Sequence, residues 1–307
     1  MRTVFFLPDL DQKKLVSQIH PKARQVGVTE ELRGWSWHKP PLKPYYDDTR
    51  IPMYAACSKY CPTRRDTYIG LVKGLRGTPT PKMSLGSAVH ETVRTALTAF
   101  IDGEHLNFDE WYNKALTIKG VASASLDIKE KAREAYELTN ASCVSRYAEA
   151  QSKQPYSTRR DLMATALPFL IEHRITGELL GLSGLLRVDC YDYLHGIVFD
   201  IKVSAEKRDW YRLYATGYAL VIESVYEVPV DIGCTVYVNY SHGHITVDRD
   251  LFFISDDLRS WWIEERDEKL KIVAQKNDPG FPNTCPEDCQ YLRECGVIET
   301  QREEGKP

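Results

Sequence analysis

The sequence predicts a mixed α/β fold in which one central sheet is flanked by helices. Apolar residues first recur at helical spacing, and from about residue 171 the pattern changes to short strands broken by glycines. Another helical stretch, two more strands and a long final helix follow. Because helices and strands are interleaved along the chain, we predict one compact unit and not two separate domains.

The composition is that of an ordinary globular protein. With 43% apolar and 27% charged residues in 307, disorder is not expected. A net charge of −3 argues against a protein that coats nucleic acid over its whole surface, so phosphate contacts would need a local patch. No apolar run approaches the roughly 20 residues that span a bilayer, and only a short one precedes Pro8. We therefore expect a soluble, cytoplasmic protein without a membrane partner.

Two regions of different character are predicted. Residues 1–54 form an irregular N-terminal extension, because prolines exclude a regular helix from its centre. A single domain over the rest of the chain begins with a helical part, continues with a sheet core that carries the candidate active site, and ends with a helix and a cysteine-bearing segment. The bounds predicted for these three parts are 55–170, 171–254 and 255–307.

Apolar spacing and capping residues predict the helices before and after the sheet. Residues 85–100 carry an apolar stripe at helical spacing, and residues 126–150 continue with a similar pattern. A further helix is predicted between these two stretches. Asn107, with Glu110 three residues later, resembles a capping box that would start it. Ser255 is followed by two aspartates, which suit the first turn of a helix, and is predicted to cap the long final helix.

Alternating apolar residues between turn signals predict five strands. Three short strands lie between residues 171 and 204, and two more cover 231–240 and 244–253, joined at Ser241–Gly243. A helix separates the two groups of strands and carries an apolar and aromatic stripe made of Tyr211, Tyr214, Tyr218 and Val221.

Two acids and a lysine on adjacent strands form the central candidate site. Asp200 and Lys202 are one residue apart, so their side chains point to the same face of a strand. Asp189 lies near the end of the preceding strand, and the hairpin between them brings the two carboxylates together. Carboxylates a few ångströms apart repel each other, and a divalent cation relieves that repulsion. Lys202 could then orient or deprotonate an attacking water, or stabilise charge that develops on a phosphate.

A histidine on the first long helix is a further candidate ligand. Gly86 and His90 share one helical face, and the missing side chain at residue 86 is expected to leave room over the imidazole ring. His90 also borders the apolar stripe, so it is partly sheltered. Considered alone, a histidine of this kind is more often a hydrogen-bonded core residue than a metal ligand. Combined with the carboxylates and the lysine, it indicates a metal ligand.

Five of the eight cysteines are grouped. Cys285, Cys289 and Cys295 stand within eleven residues and need a fourth ligand to make a closed site. Cys61 supplies a plausible one, with Cys57 as a possible competitor. Four cysteines suit zinc as well as an iron–sulfur cluster. Three other cysteines are isolated in apolar or helical stretches and are predicted to be buried, inert thiols: Cys143, Cys190 and Cys234.

Basic residues accumulate around the early cysteines. Between residues 57 and 82 there is one acidic residue, Asp66, and six basic ones: Lys59, Arg64, Arg65, Lys73, Arg76 and Lys82. A clip between Cys61 and the late cysteines would place Arg64 and Arg65 beside it, where they could guide a DNA strand toward the metal site. The alternative interpretation is a solvated surface, since charge runs are common on exposed faces.

The nuclease motifs resemble those of a known superfamily. Four motifs in this order resemble the RecB-type branch of the PD-(D/E)XK nucleases. They are a helical G-x-x-x-H, an Asp on a strand, D-x-K on the next strand and a helix with Y-A-L-x-x-E. This resemblance implies a restriction-endonuclease-like core that hydrolyses phosphodiester bonds with one or two Mg²⁺ or Mn²⁺ ions. It also implies that His90, Asp189 and Asp200 are the metal ligands and that Lys202 is the catalytic lysine.

One further motif of that branch, Q-x-x-x-Y, matches only in part. Tyr218 stands at the tyrosine position and is taken as part of the catalytic site. Tyr214 occupies the position of the glutamine, which in the motif would contact the substrate or the lysine.

The cysteine pattern, with YCPTRRDTY and the preceding W-x-W-x-x-PPL, resembles the CRISPR-associated exonuclease branch of the same superfamily, in particular its archaeal type I-A subgroup. The resemblance extends from about Trp35 to Cys295. It implies that Cys61, Cys285, Cys289 and Cys295 hold a 4Fe–4S cluster. It also implies action on single-stranded DNA ends or overhangs, trimming fragments for spacer acquisition beside the CRISPR integrase complex.

A second hypothesis is a catalytically weak or inactive subunit that binds DNA and serves as a scaffold in the CRISPR adaptation complex. Tyr214 in the place of glutamine favours it, as does the shorter Asp200 where glutamate is more usual. Retained DNA binding without cleavage would support it. No Walker-type Gly-Lys-Ser/Thr motif is present, so the sequence contains no recognisable nucleotide-driven motor.

Overall fold

The architecture is described by a computed structural model for residues 4–119, 126–241, 243–286 and 289–296. The α-helices in these ranges are α1 (Asp9–Lys14), α2 (His20–Val26), α3 (Met53–Cys57), α4 (Arg65–Thr67), α5 (Pro81–Asp102), α6 (Phe108–Lys119), α7 (Leu126–Lys153), α8 (Arg159–Ala166), α9 (Arg212–Tyr226) and α10 (Asp256–Gln275). The strands are β1 (Phe169–Ile175), β2 (Leu186–Asp192), β3 (Ile197–Val203), β4 (Ile232–Ser241) and β5 (His244–Phe253). In this part of the chain, no helix combines the length and the apolarity that crossing a bilayer requires.

The five strands form one mixed sheet in the order β1-β2-β3-β4-β5. The first three strands are an antiparallel meander, β3 and β4 are parallel, and β5 is antiparallel to β4. A parallel pair needs a crossover connection, which α9 provides. The predicted mixed α/β fold with a sheet flanked by helices is confirmed.

The side chains of β3 alternate between two apolar cores. Ile197, Phe199 and Ile201 belong to the core that α5 and α7 cover, whereas Val198 belongs to the core formed with α9 and α10. Because side chains two residues apart share a face, Asp200 and Lys202 lie on the α9 side. α9 and α10 pack closely there, since a Cβ at Gly217 would lie 2.3 Å from Nε1 of Trp262.

The predicted caps are right in position and only partly right in chemistry. Asn107 Oδ1 accepts hydrogen bonds from the N–H groups of Asp109 (3.1 Å) and Glu110 (3.3 Å), which starts α6 as predicted. Ser255 precedes α10, but its side chain makes no capping hydrogen bond, so that part of the prediction is wrong. The carboxylate of Asp256 in the first turn instead accepts a hydrogen bond from the N–H of Thr29 at 3.1 Å.

The region predicted to be irregular contains a helix. α1, a π-helical turn over Leu15–Ile19 and α2 follow one another from residue 9 to residue 26. Leu15, Ile19 and Ala23 recur every four residues and pack into the core beside β5, which explains the helix. Gly27, with φ of +71°, ends it. The proline-rich stretch that follows contains no α-helix before α3, as predicted.

Candidate active site and cysteine cavity

Asp189 interrupts the backbone pairing on both sides of β2. The register between β2 and β3 ends at the pair Cys190–Phe199, one position before Asp189 would face Asp200. The register between β1 and β2 omits the pair of Glu172 with Asp189. Oδ2 of Asp189 accepts a hydrogen bond from the N–H of Ile201 at 2.9 Å. A carboxylate has therefore replaced the backbone partner at this point of the sheet.

Asp200 and Lys202 form a buried ion pair on the same face of β3. Lys202 Nζ lies 2.9 Å from Asp200 Oδ2 and donates a hydrogen bond to Oδ1 at 3.2 Å. Asp200 is only 3% exposed, and among the described residues its Oδ2 atom is contacted by the Lys202 ammonium without a well-directed hydrogen bond. Burial raises the pKa of Asp200 to about 6, with Lys202 opposing this shift and Asp189 adding to it. A carboxylate whose pKa is raised by burial and by a second carboxylate is suited to a cation, which would take the place of the Lys202 ammonium.

His90 reaches the same place from α5. Its Nδ1 atom lies 3.5 Å from Asp189 Oδ2, and its Nε2 atom lies 3.1 Å from the carbonyl oxygen of Ile201. Burial and the charge of Lys202 lower the pKa of His90, which favours the neutral imidazole that metals bind. Among the described residues, a Cβ at Gly86 would meet neither the His90 ring nor any other atom beyond its own helix backbone within 4 Å, so the predicted steric reason for that glycine is wrong.

Two tyrosines of α9 border the carboxylates and the lysine. The ring of Tyr214 lies under the Lys202 ammonium, with 3.4 Å between Nζ and the ring centroid. Tyr218 is one turn further along the helix. Burial, together with the charges of Asp189 and Asp200, raises the pKa of Tyr218 well above its usual value, so its phenol is protonated.

Glu172 is a site residue that the sequence patterns did not reveal. It lies on β1 opposite Asp189 and has a φ of +48°, which side chains other than glycine rarely adopt. Burial and the charge of Asp189 raise its pKa, while His90 and Arg187 oppose the shift. The available signal was an acid at the centre of an apolar strand. Glu178, the next acid along the chain, is exposed in the turn that follows this strand.

Replacing Glu172 by glycine is expected to raise the free energy of unfolding by about 0.5–1 kcal/mol, because glycine adopts a positive φ without strain. The same change should lower the metal-dependent cleavage that the sequence predicts about tenfold or more, since it removes an acid beside the candidate ligands. Urea denaturation and a cleavage assay measure the two effects. Glu227→Gly is the matched control, because Glu227 has a φ of +55° but is exposed at the end of α9. Equal activity in both variants would contradict a role for Glu172 in the site.

The side chains suit a divalent cation in chemistry. His90, Asp189, Asp200 and the Ile201 carbonyl offer one imidazole nitrogen and several oxygen atoms, a set that Mn²⁺ and Mg²⁺ accept. Within the described ranges, no three His, Cys, Asp or Glu side chains are already gathered as the ligands of one ion. Asp200 is engaged by Lys202 here, so binding of a cation would require it to exchange that partner.

A second candidate site lies where the segment around Cys61 meets the C-terminal segment. One cavity there is lined by four cysteines, Cys61, Cys285, Cys289 and Cys295, together with Arg65 and Asp66. All four thiols are free and partly buried. Burial raises the pKa of Cys289 to about 11, and the neighbouring thiols Cys295 and Cys61 add to the shift. Such a thiol stays protonated unless a metal stabilises its thiolate.

Cys57 lies away from this cavity. It is fully buried at the end of α3, where its Sγ atom donates to the carbonyl of Leu213 at 3.4 Å. Burial raises the pKa of Cys57 to about 12. Cys143, Cys190 and Cys234 are likewise buried. Of the two early cysteines, the structure places Cys61 beside the three late ones.

Arg64 and Arg65 are engaged by acidic side chains. Arg64 Nε lies 3.2 Å from a Glu265 carboxylate oxygen, and Arg65 Nε lies 2.9 Å from Asp278. The Arg65 guanidinium also lies over the ring of Phe281, 3.7 Å from its centroid. The Arg65 contacts hold the segment that follows α10, whereas the Arg64 contact is with α10 itself. Contact of the two arginines with DNA stays a prediction, and it would have to compete with these partners.

The fold and the two sites define a mixed α/β protein that carries an acidic site with a lysine on its sheet and, separately, a four-cysteine cavity. The chain belongs to the family described as CRISPR-associated exonuclease Csa1, whose sequence profile matches residues 5–298. The predicted relation to CRISPR-associated exonucleases is confirmed at the level of this family.

Two relatives carry the same name, CRISPR-associated exonuclease Csa1. The protein from Saccharolobus solfataricus is 31% identical over 284 residues, which covers 87% of this chain and 92% of the relative. The protein from Thermoproteus tenax is 27% identical over 274 residues, which covers 87% of this chain and 91% of the relative.

Proposed function

We propose that the protein is a metal-dependent DNA exonuclease with a PD-(D/E)XK-type core, acting on single-stranded ends or overhangs. The observation that carries the proposal is the convergence of His90, Asp189 and the Asp200–Lys202 pair at one break in the sheet. The names of the relatives, which describe CRISPR-associated exonucleases, agree with it.

The residues have separable roles in phosphodiester hydrolysis. His90, Asp189 and Asp200 would hold one or two Mn²⁺ or Mg²⁺ ions, which polarise the phosphate and lower the pKa of water. The N–H of Ile201 orients Asp189 through its hydrogen bond to Oδ2. Lys202 carries a positive charge to the face where an attacking water and the phosphate oxygens would lie, and stabilises charge there. The protonated phenol of Tyr218 is a hydrogen-bond donor on the same side.

We further propose that the substrates are DNA fragments trimmed for CRISPR spacer acquisition, and that the integrase complex is the partner that receives them. Support comes from the CRISPR association in the family description. Metal and phosphate contacts read the DNA backbone and not its bases, so this site would trim fragments of any sequence.

The test is cleavage of end-labelled single-stranded DNA by anaerobically purified protein with Mn²⁺ or Mg²⁺. We expect cleavage that stops with a chelator, returns with added Mn²⁺ and is absent in the near-isosteric variant Asp200→Asn. If the intact protein binds DNA but never cuts it with either metal, the nuclease proposal fails. In that case the DNA-binding scaffold becomes the better description.

We propose that Cys61, Cys285, Cys289 and Cys295 hold a 4Fe–4S cluster that fastens the C-terminal segment. The cavity that all four line supports this. Other contacts join the same two segments, so the ligands are held close before any metal binds. The Thr63 hydroxyl donates to the carbonyl of Gly280 at 2.9 Å, and the Thr78 N–H donates to the carbonyl of Gln290 at 2.8 Å.

Cys61→Ser is expected to reduce the iron bound by anaerobically purified protein from about four atoms per chain to less than one, because a closed cluster needs all of its thiolates. Cys57→Ser is the matched control and should keep its iron, since Cys57 contacts α9 and not the cavity. Iron, sulfide and zinc analysis with visible absorbance measures the outcome. Zinc in place of iron, or loss of iron only in Cys57→Ser, would refute the assignment.

A further inference from the structure

The Lys202 ammonium contacts an aromatic ring where the resembled motif has an amide. Nζ lies 3.4 Å from the ring centroid of Tyr214 and 5.5 Å from that of Tyr211. Both distances are within the roughly 6 Å over which a cation is attracted to a ring face. Tyr214 stands at the glutamine position of the Q-x-x-x-Y motif, so the contact occurs where this chain departs from that pattern.

The ring of Tyr214 is held in place by its surroundings. It lies in the first turn of α9, partly buried against the apolar core that contains Leu213 and Ala215. The ring of Trp210 packs near it at 6.4 Å between centroids. A tyrosine has few rotatable bonds, so its face is presented in a defined direction. The lysine side chain has a flexible four-carbon stem, so its ammonium can occupy many positions. A fixed aromatic face restricts the ammonium to one of them.

We propose that Tyr214 is a positioning residue for Lys202, a role that rests on the proposed nuclease function. Asp200 holds the ammonium at 2.9 Å in this structure. A divalent cation bound by Asp200 would compensate that carboxylate and repel the ammonium, so the ion pair would no longer hold Lys202. The face of Tyr214 attracts the ammonium with or without the metal. It therefore keeps the lysine at the site during the reaction.

Three substitutions at this position separate positioning from packing. Tyr214→Phe keeps the ring and should retain close to the wild-type kcat. Tyr214→Leu removes the ring and should lower kcat by about 10- to 30-fold at saturating Mn²⁺, the loss that corresponds to a desolvated cation–π contact, with KM little changed. Tyr214→Gln supplies an amide and should cleave faster than Tyr214→Leu. A purely structural role predicts the reverse order for these two, because glutamine packs worse in an apolar core.

A second measurement does not depend on cleavage. Protein labelled with ¹³C-lysine should show an Hε signal for Lys202 shifted upfield by the ring, assigned by its loss in Lys202→Arg. The shift should persist in Tyr214→Phe and disappear in Tyr214→Leu, with thermal unfolding used to check that each variant is folded.

The two readouts distinguish the proposals. Wild-type cleavage by Tyr214→Leu, or a Lys202 signal without the shift, overturns the positioning role and leaves the nuclease proposal standing. If the wild type does not cleave DNA, the proposed function fails. The shifted signal then still supports the contact, and its absence overturns it.

Discussion

Replacing Lys202 by alanine is expected to lower kcat for Mn²⁺-dependent DNA cleavage by a factor of about 10²–10³, the loss typical of removing one group that stabilises a transition-state charge. Its ammonium is the positive group that the structure places against Asp200, at 2.9 Å. Affinity for single-stranded DNA should change little, because one phosphate contact contributes a small part of total binding. Single-turnover cleavage and a separate binding measurement give the two quantities.

Two further variants make this experiment specific. Lys207→Ala is the matched control: Lys207 lies nearby, is exposed and pairs with Asp248, and its loss should leave the rate nearly unchanged. Lys202→Arg should not restore the rate, since a planar guanidinium does not replace a compact ammonium in a confined site. An undiminished kcat in Lys202→Ala would remove the lysine from the mechanism.

Replacing Glu223 by alanine is expected to lower the free energy of unfolding by about 3–5 kcal/mol, because it leaves buried positive charge without its partner. Glu223 and Arg259 are both fully buried and joined by two hydrogen bonds, at 2.7 and 3.0 Å. Arg33 and the N–H groups of Gly34 and Val230 also donate to this carboxylate. Burial alone would raise the pKa of Glu223, but these donors hold it below its usual range.

Urea denaturation of Glu223→Ala, of a control variant, and of a double variant with its two single variants measures this contribution. Lys153→Ala, which breaks an exposed pair with Glu149, is the control and should cost at most about 1 kcal/mol. The double variant Glu223→Leu with Arg259→Leu should lose less than the sum of its single changes, because neither charge is then left alone. Two results would show that the Glu223–Arg259 ion pair does not stabilise the packing of α9 on α10. One is a loss of unfolding free energy in the double variant that equals the sum of the single losses, and the other is a loss below about 1 kcal/mol in Glu223→Ala.

Elements with a strong local pattern were predictable from the sequence. The two strands expected over 231–240 and 244–253 are β4 and β5, whose bounds differ by one residue at most. The helix of residues 9–26 was not predicted, because its apolar stripe is narrow and lies among polar residues with Pro21 inside it. Its stability depends on packing against the sheet, which the local sequence does not express.

The candidate site was predictable as a set of residue types and not as an arrangement. Spacing placed Asp200 and Lys202 on one face of a strand, as the structure does. Glu172 was not predicted as a site residue. Its position beside Asp189 depends on a positive φ and on the pairing of β1 with β2, which the local sequence does not express. Glu223, part of the motif on α9, is engaged in a buried ion pair far along the chain, and such partners depend on tertiary structure.

The cysteine cavity joins parts of the chain that are synthesised at different times. More than 200 residues separate Cys61 from Cys285, which at about 5–20 residues per second corresponds to roughly 10–45 s on the ribosome. The whole sheet, with Asp189, Asp200 and Lys202, is made during that interval. Cluster assembly would consequently be a late event in biogenesis. A chain that stops before residue 285 would contain all five described strands and the acidic site, but it would lack the three late cysteines.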